Sequence, residues 1–167
     1  ESGDGVQLNM QTFHLNEIFT DITERLAPVI ANQNATINCN CSPSEIAIYG
    51  DPFYWNQALS NLTENALKQN TETPITIDIN AQLTENDRVE ITISDNGKGI
   101  PSMHLPYIFN RFYRVQKHHS QNKIKGTGLG LSIVKHAIEA HGGSISVKSE
   151  PGTFTTFSIS CPIDPKS

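Results

Sequence analysis

Residues 89–100 read VEITISDNGKGI, and here a strand pattern runs directly into a glycine-rich loop. Val89, Ile91 and Ile93 alternate with polar residues, which predicts a half-buried strand. Asp95 stands at the predicted strand end, where its carboxylate is well placed to accept a hydrogen bond from an amino group in a pocket. The glycines at 97 and 99 would let backbone approach a flat ring closely. Taken alone, the stretch is also typical of an ordinary Asp-Asn-Gly turn.

Regular patterns on both sides of this stretch predict an α+β domain. Alternating apolar residues predict further strands at 37–41 and 46–48, on either side of a turn at 42–44, and at 75–79, 145–147 and 157–159. Apolar residues at helical spacing predict helices at 15–30, about 52–69 and about 129–140. These elements predict a two-layer α/β sandwich, in which helices cover one face of a mixed, mostly antiparallel sheet.

Composition limits the class of protein. The chain has 167 residues, of which 37% are apolar and 17% charged, as expected for one folded domain rather than a disordered or fibrous chain. The formal charge of −5 argues against a general basic surface, so no nucleic-acid partner is expected. No apolar run approaches the ~20 residues of a membrane span, so no membrane contact by this segment is expected.

A second cluster of functional side chains lies on the helix predicted at about 52–69. Asn61 and Asn65 are four residues apart, so both amides project from one helix face, and Lys68 lies one turn further along it. Amide oxygens beside an ammonium group suit a hydrated Mg²⁺ and the phosphates it bridges, because Mg²⁺ keeps several waters and takes few protein ligands. Taken alone, this cluster is also typical of a solvated helix face.

A third cluster, GTGLGLS at residues 126–132, opens the last predicted helix. Free backbone N–H groups at a helix N-terminus bind anions, and glycine removes side chains that would block a phosphate. The glycine spacing fits neither the P-loop nor the dinucleotide-binding pattern, and the segment is also typical of a flexible loop before a helix. The long irregular stretch before it is of a kind that is usually functional or mobile.

The three clusters, in this order, resemble the N, G1 and G2 boxes of sensor histidine kinases. The resemblance covers about residues 13–162 and implies the Bergerat ATP-binding fold. It also implies an enzyme that transfers the γ-phosphoryl group of Mg-ATP to a histidine in two-component signal transduction. The matching segments are 61–68, 95–100 and 126–131, an F-box-like IFNRFYRV at 108–115, and closing segments at 141–143 and 155–162.

The resemblance implies a role for each matching residue, with ATP and Mg²⁺ as the bound species. Asn61, Lys68 and Arg114 are the implied catalytic residues, which also contact the phosphates of ATP. Asn65 is the implied ligand of Mg²⁺, and Asp95 the implied acceptor for the adenine amino group. The other implied ATP-binding residues are Gly97, Gly99, Ile100, Tyr113, Gly126, Thr127, Gly128, Leu129, Gly130, Leu131 and Thr156.

The resemblance also implies a domain organisation. Residues 1–12 resemble the end of a dimerisation helix and its linker, 13–163 the catalytic domain with an ATP lid at about 102–125, and 164–167 a tail. None of the six histidines precedes an acidic residue, as the acceptor histidine of the family does. The acceptor is therefore expected on a dimerisation domain absent from this chain, with a response regulator downstream. The isolated segment is expected to be monomeric and cytoplasmic, within a bacterial protein anchored in the inner membrane.

Departures from the family pattern keep a second hypothesis open, and a third is disfavoured. Gln69 replaces an aromatic residue, Gln116 an acidic one, Phe154 a glycine, and lysines replace the usual arginine in the lid. These changes suit a nucleotide-gated binding module without productive phosphoryl transfer. A hydrolytic ATPase of the gyrase type is disfavoured, because Asn61 stands where those enzymes carry a general-base Glu and an amide cannot take a proton at neutral pH.

Overall fold

The structure is a computed structural model that describes residues 7–113 and 130–165. Its first half contains β1 (Gln11–His14), α1 (Leu15–Arg25), α2 (Ala27–Asn32), β2 (Thr36–Ser42), β3 (Ala47–Gly50) and α3 (Pro52–Gln69). The second half contains β4 (Thr76–Leu83), β5 (Arg88–Asp95), a 3-10 helix (Ser102–Tyr107), α4 (Gly130–Ala140), β6 (Ser144–Glu150) and β7 (Phe154–Pro162).

Within the described residues, the main sheet has five strands in the order β2-β4-β5-β7-β6. The pair β2 and β4 is parallel, and the other neighbouring pairs are antiparallel. This arrangement confirms the predicted mixed, mostly antiparallel sheet. Parallel neighbours need a crossover connection, and here the chain between β2 and β4 forms β3 and α3.

The strands on either side of the predicted turn at 42–44 lie in different sheets. β3 pairs with β1 in a separate two-stranded antiparallel sheet, whereas β2 pairs with β4. The two predicted strands are therefore present but are not hydrogen-bonded neighbours.

The core lies between one face of the main sheet and the helices. Alternate residues of the central strands, such as Ile79 and Ile91, are buried together with Phe19 of α1, Leu59 of α3 and Val134 of α4. The opposite strand face carries polar side chains, for example Asp78, Glu90 and Ser158. This alternation confirms the prediction that helices cover one face of the sheet. Among the described residues, no helix combines the length and apolar character that a membrane span requires.

Helix α3 begins as its sequence predicts. The Asp51 carboxylate accepts a hydrogen bond from the Phe53 N–H at 3.0 Å, and Pro52 occupies the first helical position. The predicted apolar face is buried and comprises Trp55, Leu59, Leu62 and Ala66. Asn61 and Asn65 are consequently only half-buried, and Lys68 is exposed.

The N-terminal region differs from its prediction in two places. The single helix predicted at 15–30 is interrupted at Leu26, because Pro28 has no backbone N–H to donate to the preceding turn. Residues 11 and 12, predicted to belong to a linker, form the start of β1, and the Asn9 N–H donates to Asp51 Oδ2 at 2.8 Å. Strand β1 thus begins at Gln11, two residues before the predicted start of the catalytic domain at residue 13.

Candidate functional site

Asp95 forms a buried hydrogen-bond acceptor at the end of β5. Its side chain is 8% exposed, and its Oδ1 accepts a hydrogen bond from the Gly97 N–H at 2.8 Å. Burial raises the pKa of Asp95, and the Gly97 hydrogen bond opposes that rise. Among the described residues, no donor contacts the second carboxylate oxygen. Asp95 therefore keeps one oxygen free to accept a hydrogen bond from a ligand.

The strand next to Asp95 carries the predicted site residue Thr156 and its neighbour Thr155 on opposite faces of the sheet. Thr155 of β7 pairs directly with Asp95 and is buried on the same sheet face as Phe157. Thr156, the predicted ATP-binding residue, points to the opposite face, where its hydroxyl lies 2.6 Å from that of Ser94. Because successive strand residues alternate between faces, Thr155 is the residue that can share a pocket with Asp95.

Hydrogen bonds from three directions hold the loop after Asp95. The Lys98 N–H donates to Asn70 Oδ1 at 2.8 Å, and the Ile100 N–H donates to Ser149 Oγ at 2.7 Å. The Gly152 N–H donates to the carbonyl of Lys98 at 2.6 Å. The loop is therefore fixed by the end of α3, by β6 and by the β6–β7 turn.

Two glycines in this loop are required by close contacts. A Cβ atom added at Gly97 would lie 2.2 Å from Asn70 Oδ1. Gly99 has a φ of +75°, and a Cβ atom there would lie 2.3 Å from the Glu150 carbonyl oxygen. Side chains at either position would displace the loop, so the glycines preserve the surroundings of Asp95.

The α3 face carries polar groups without protein partners. Within the described ranges, the side chains of Asn61, Asn65 and Lys68 make no hydrogen bond or ion pair. Across residues 7–113 and 130–165, no group of three or more His, Cys, Asp or Glu side chains is placed to hold a metal ion. The free amide oxygen of Asn65 fits Mg²⁺ held by few protein atoms and completed by phosphate and water.

The F-box-like segment packs against the sheet at the edge of the described chain. Ile108 is buried, and the rings of Phe109 and Phe157 contact edge to face with centroids 6.0 Å apart. The Tyr113 hydroxyl hydrogen-bonds to Nδ1 of His104 in the 3-10 helix. Tyr113, a predicted ATP-binding residue, is thereby fixed by a side-chain partner.

Part of the predicted site lies outside the described residues. This applies to Arg114, to the lid from 114 to 125, and to Gly126, Thr127, Gly128 and Leu129. Helix α4 is described from Gly130, close to the predicted start, and Leu131 packs against the core.

The structure adds two loop-holding residues that the sequence motifs did not identify. Asn70 directly follows the last residue of α3, a common place for Asn, but nothing in its local sequence indicates a contact with residue 98. Ser149 lies on the same, partly buried face of β6 as Ile145 and Val147. That alternation indicates which face Ser149 occupies, although it does not reveal its hydrogen bond to Ile100.

Comparison with known proteins gives a consistent family. Residues 50–165 match the model of histidine kinase-, DNA gyrase B- and HSP90-like ATPases. Sensor histidine kinase RcsC of Escherichia coli (strain K12) is 31% identical over 159 residues, an alignment that covers 95% of this chain and 16% of RcsC. The chain therefore spans only a small part of the length of this relative.

Two solved structures resemble the whole described fold. The catalytic domain of histidine kinase ThkA superposes with a TM-score of 0.81 and 25% identity, covering 95% of this chain and 98% of that one. Full-length ShkA, solved in complex with AMPPNP, superposes with a TM-score of 0.79 and 25% identity. That match covers 95% of this chain and 32% of ShkA.

Proposed function

The chain belongs to the family of histidine kinase-, DNA gyrase B- and HSP90-like ATPases, and on this premise we propose that it is the ATP-binding catalytic domain of a sensor histidine kinase. The observation that carries the proposal is the buried Asp95 carboxylate, which keeps one acceptor oxygen beside a glycine loop. Adenine offers an amino donor on a flat ring, which suits that surface. The ShkA relative solved with AMPPNP supports the choice of nucleotide.

Some of the described site residues bind the adenine of ATP, and others bind its phosphates. Asp95 accepts the adenine amino hydrogen bond, with Gly97, Gly99 and Ile100 forming the wall of the base pocket. Asn61 and Lys68 contact the phosphates, and Asn65 holds Mg²⁺. Bound Mg²⁺ neutralises charge on the phosphate oxygens. The free side chains of the α3 face support these roles.

The remaining proposed residues follow from the sequence resemblance. Tyr113 borders the nucleotide, Arg114 stabilises charge at the γ-phosphate, and the segment 126–131 covers the phosphates. The lid extends over about 102–125. The sequence resemblance implies Thr156 at the base pocket; the proposal places Thr155 there instead, because of these two residues Thr155 shares a sheet face with Asp95.

The proposed reaction is phosphoryl transfer to a histidine outside this chain. The bond between the γ-phosphorus and the bridging oxygen breaks, a bond from phosphorus to an imidazole nitrogen forms, and ADP leaves. Catalysis rests on positioning and charge neutralisation. Asn61 supplies no general base for water, so transfer is favoured over hydrolysis.

The proposed setting is a longer bacterial protein. Its dimerisation domain presents the acceptor histidine, a response regulator receives the phosphoryl group, and this domain faces the cytoplasm below a membrane anchor. The isolated segment is monomeric, which a concentration-independent mass near 18.4 kDa in solution would support and a stable dimer would contradict.

A calorimetric titration tests the proposal. ATP is titrated into the wild type and Asp95→Asn, each with and without Mg²⁺. We expect wild-type binding that strengthens with Mg²⁺ and weakens at least about tenfold in Asp95→Asn, as for loss of a hydrogen bond to a charged group. Absence of ATP binding to the wild type would overturn the proposal.

A second experiment separates kinase activity from binding alone. Radiolabelled ATP is incubated with the wild type and a separately supplied histidine-bearing dimerisation domain from a sensor histidine kinase. Label on that domain, removed by substituting its acceptor histidine, supports the kinase. ATP binding without transfer to any supplied domain would favour a nucleotide-gated binding module.

A further inference from the structure

The side chain of Asn70 connects α3 to the loop that follows Asp95. Its Nδ2 donates to the Ala66 carbonyl at 2.8 Å, within the last turn of α3, and its Oδ1 accepts from the Lys98 N–H at 2.8 Å. The side chain is buried, with only 8% of Asn70 exposed. Both ends of one amide are thus occupied, one by the helix and one by the loop.

The same loop sets the position of the Asp95 carboxylate. The Gly97 N–H donates to Asp95 Oδ1, and Gly97 packs so closely on Asn70 that a Cβ atom there would lie 2.2 Å from Asn70 Oδ1. The backbone of Gly97 and Lys98 therefore contacts Asp95 on one side and Asn70 on the other. A shift of the Asn70 amide would move the donor that holds Asp95.

We propose that Asn70 is a positioning residue for adenine recognition, and this inference rests on the proposed function. By holding the Lys98 N–H, Asn70 fixes the loop so that Gly97 engages Asp95 Oδ1. The other carboxylate oxygen is then left to accept the adenine amino hydrogen bond. Asn70 acts through Asp95 and touches no part of the nucleotide in this scheme. It should therefore affect the choice of base more than the binding of the triphosphate.

Two nucleotides that differ at the amino position test this role. The adenine ring of ATP carries the amino group that donates a hydrogen bond to Asp95, whereas the base of ITP carries an oxygen at the same ring position. The ratio of their affinities, measured by calorimetry with Mg²⁺, reports the Asp95 contact separately from the phosphate contacts. We expect the wild type to prefer ATP by about tenfold or more, the scale of one hydrogen bond to a charged group.

Three variants identify what Asn70 contributes. Asn70→Ala should bring the ATP-to-ITP ratio close to one while ITP affinity stays within about threefold of wild type. Asn70→Asp keeps an acceptor for the Lys98 N–H but loses the donor to Ala66, and should retain most of the ratio. Asp51→Ala removes the cap at the other end of α3 and should leave the ratio unchanged.

The outcomes separate this inference from the proposed function. A wild-type ratio retained in Asn70→Ala overturns the inference, and so does an equal loss in Asn70→Asp or Asp51→Ala. A wild type that binds ATP and ITP equally also overturns the inference, but this outcome leaves the proposed nucleotide binding intact. Wild type that binds neither overturns the proposed function itself. Should Asn70→Ala not fold, Gly97→Ala tests the same contact from the loop side, and a retained ratio there overturns the inference.

Discussion

Nε2 of His141 accepts a hydrogen bond from the Asp51 backbone N–H at 3.0 Å, between residues 90 positions apart in the chain. The other ring nitrogen, Nδ1, lies 2.8 Å from the Ala137 carbonyl oxygen, so the ring proton belongs on Nδ1. The side chain is 1% exposed and its ring lies against Trp55. His141 thereby ties the end of α4 to the beginning of α3, the helix that carries Asn61 and Asn65.

We expect His141→Ala to lower the free energy of unfolding by about 3 kcal/mol, because it leaves a buried N–H without an acceptor and opens a cavity. Urea unfolding followed by circular dichroism measures the change. His136→Ala provides the matched control, since His136 is an exposed histidine on α4, the helix that directly precedes His141; it should shift the free energy of unfolding by less than about 0.5 kcal/mol. Equal losses in both variants would contradict the assigned role of His141.

The buried carboxylate of Asp95 predicts a pH dependence of stability. Because burial raises its pKa, the folded chain holds this proton to higher pH than the unfolded chain does. Stability contributed by Asp95 is therefore present below the ordinary carboxyl pKa, about 3.9, and is lost as pH rises through the raised value. Relative to Asp95→Asn, which keeps an oxygen for the Gly97 N–H, the wild type should lose stability across this window.

Urea unfolding of both proteins without nucleotide, at pH steps from below the ordinary carboxyl pKa to neutrality, measures this difference. The expected result is that the stability of the wild type relative to Asp95→Asn falls as the pH rises over this range. A wild type that instead gains stability over the variant as pH rises would contradict a carboxylate destabilised by burial.

The pairing of β5 with β7 predicts different effects for two adjacent threonines. Thr155→Val removes a hydroxyl that lies 2.8 Å from Ser149 Oγ on the face shared with Asp95, and we expect ATP affinity to fall about tenfold. Thr156→Val acts on the opposite face, beside Ser94, and should change ATP affinity less than Thr155→Val does. Calorimetry on the two variants decides between these positions, and the reverse order would favour Thr156, the residue implied by the sequence resemblance.

The identity of residue 61 predicts slow ATP hydrolysis. Asn61→Glu places a carboxylate at this half-buried position on α3, and a carboxylate can take a proton from water where an amide cannot. We expect the rate of phosphate release to rise at least about tenfold. Glu64→Gln is the control, because residue 64 lies about 100° round the helix from residue 65 and should leave the rate unchanged. Fast hydrolysis by the wild type with no gain in Asn61→Glu would refute this explanation.

Elements fixed by local signals could be predicted from the sequence. Helix α3 follows from the cap at Asp51 and an apolar face every three to four residues, and strands β2 to β7 follow from alternation. Pairing between strands that are distant in the chain could not be predicted in the same way. β2 pairs with β4, so that Thr36 lies beside Thr76, and such distant partners leave no mark on the local sequence.

The candidate site likewise contains residues that the local sequence indicates and a residue that only a long-range contact reveals. Asp95, Gly97 and Gly99 lie within one short motif, so the sequence could indicate them together. The sequence could also have indicated that Thr155 shares a sheet face with Phe157, because strand residues two apart share a face. Asn70 could not have been found so, because its role depends on a hydrogen bond between segments 28 residues apart.

Helix α3 belongs to the crossover between β2 and β4, and it forms one fixed side of the proposed site. Helix α3 lies on the chain that joins two hydrogen-bonded parallel strands, and its buried apolar face packs it against the sheet. Asp95 ends a strand paired on both sides, so its carboxylate is anchored to the same frame. The polar face of α3 and the Asp95 carboxylate are therefore held by the same sheet.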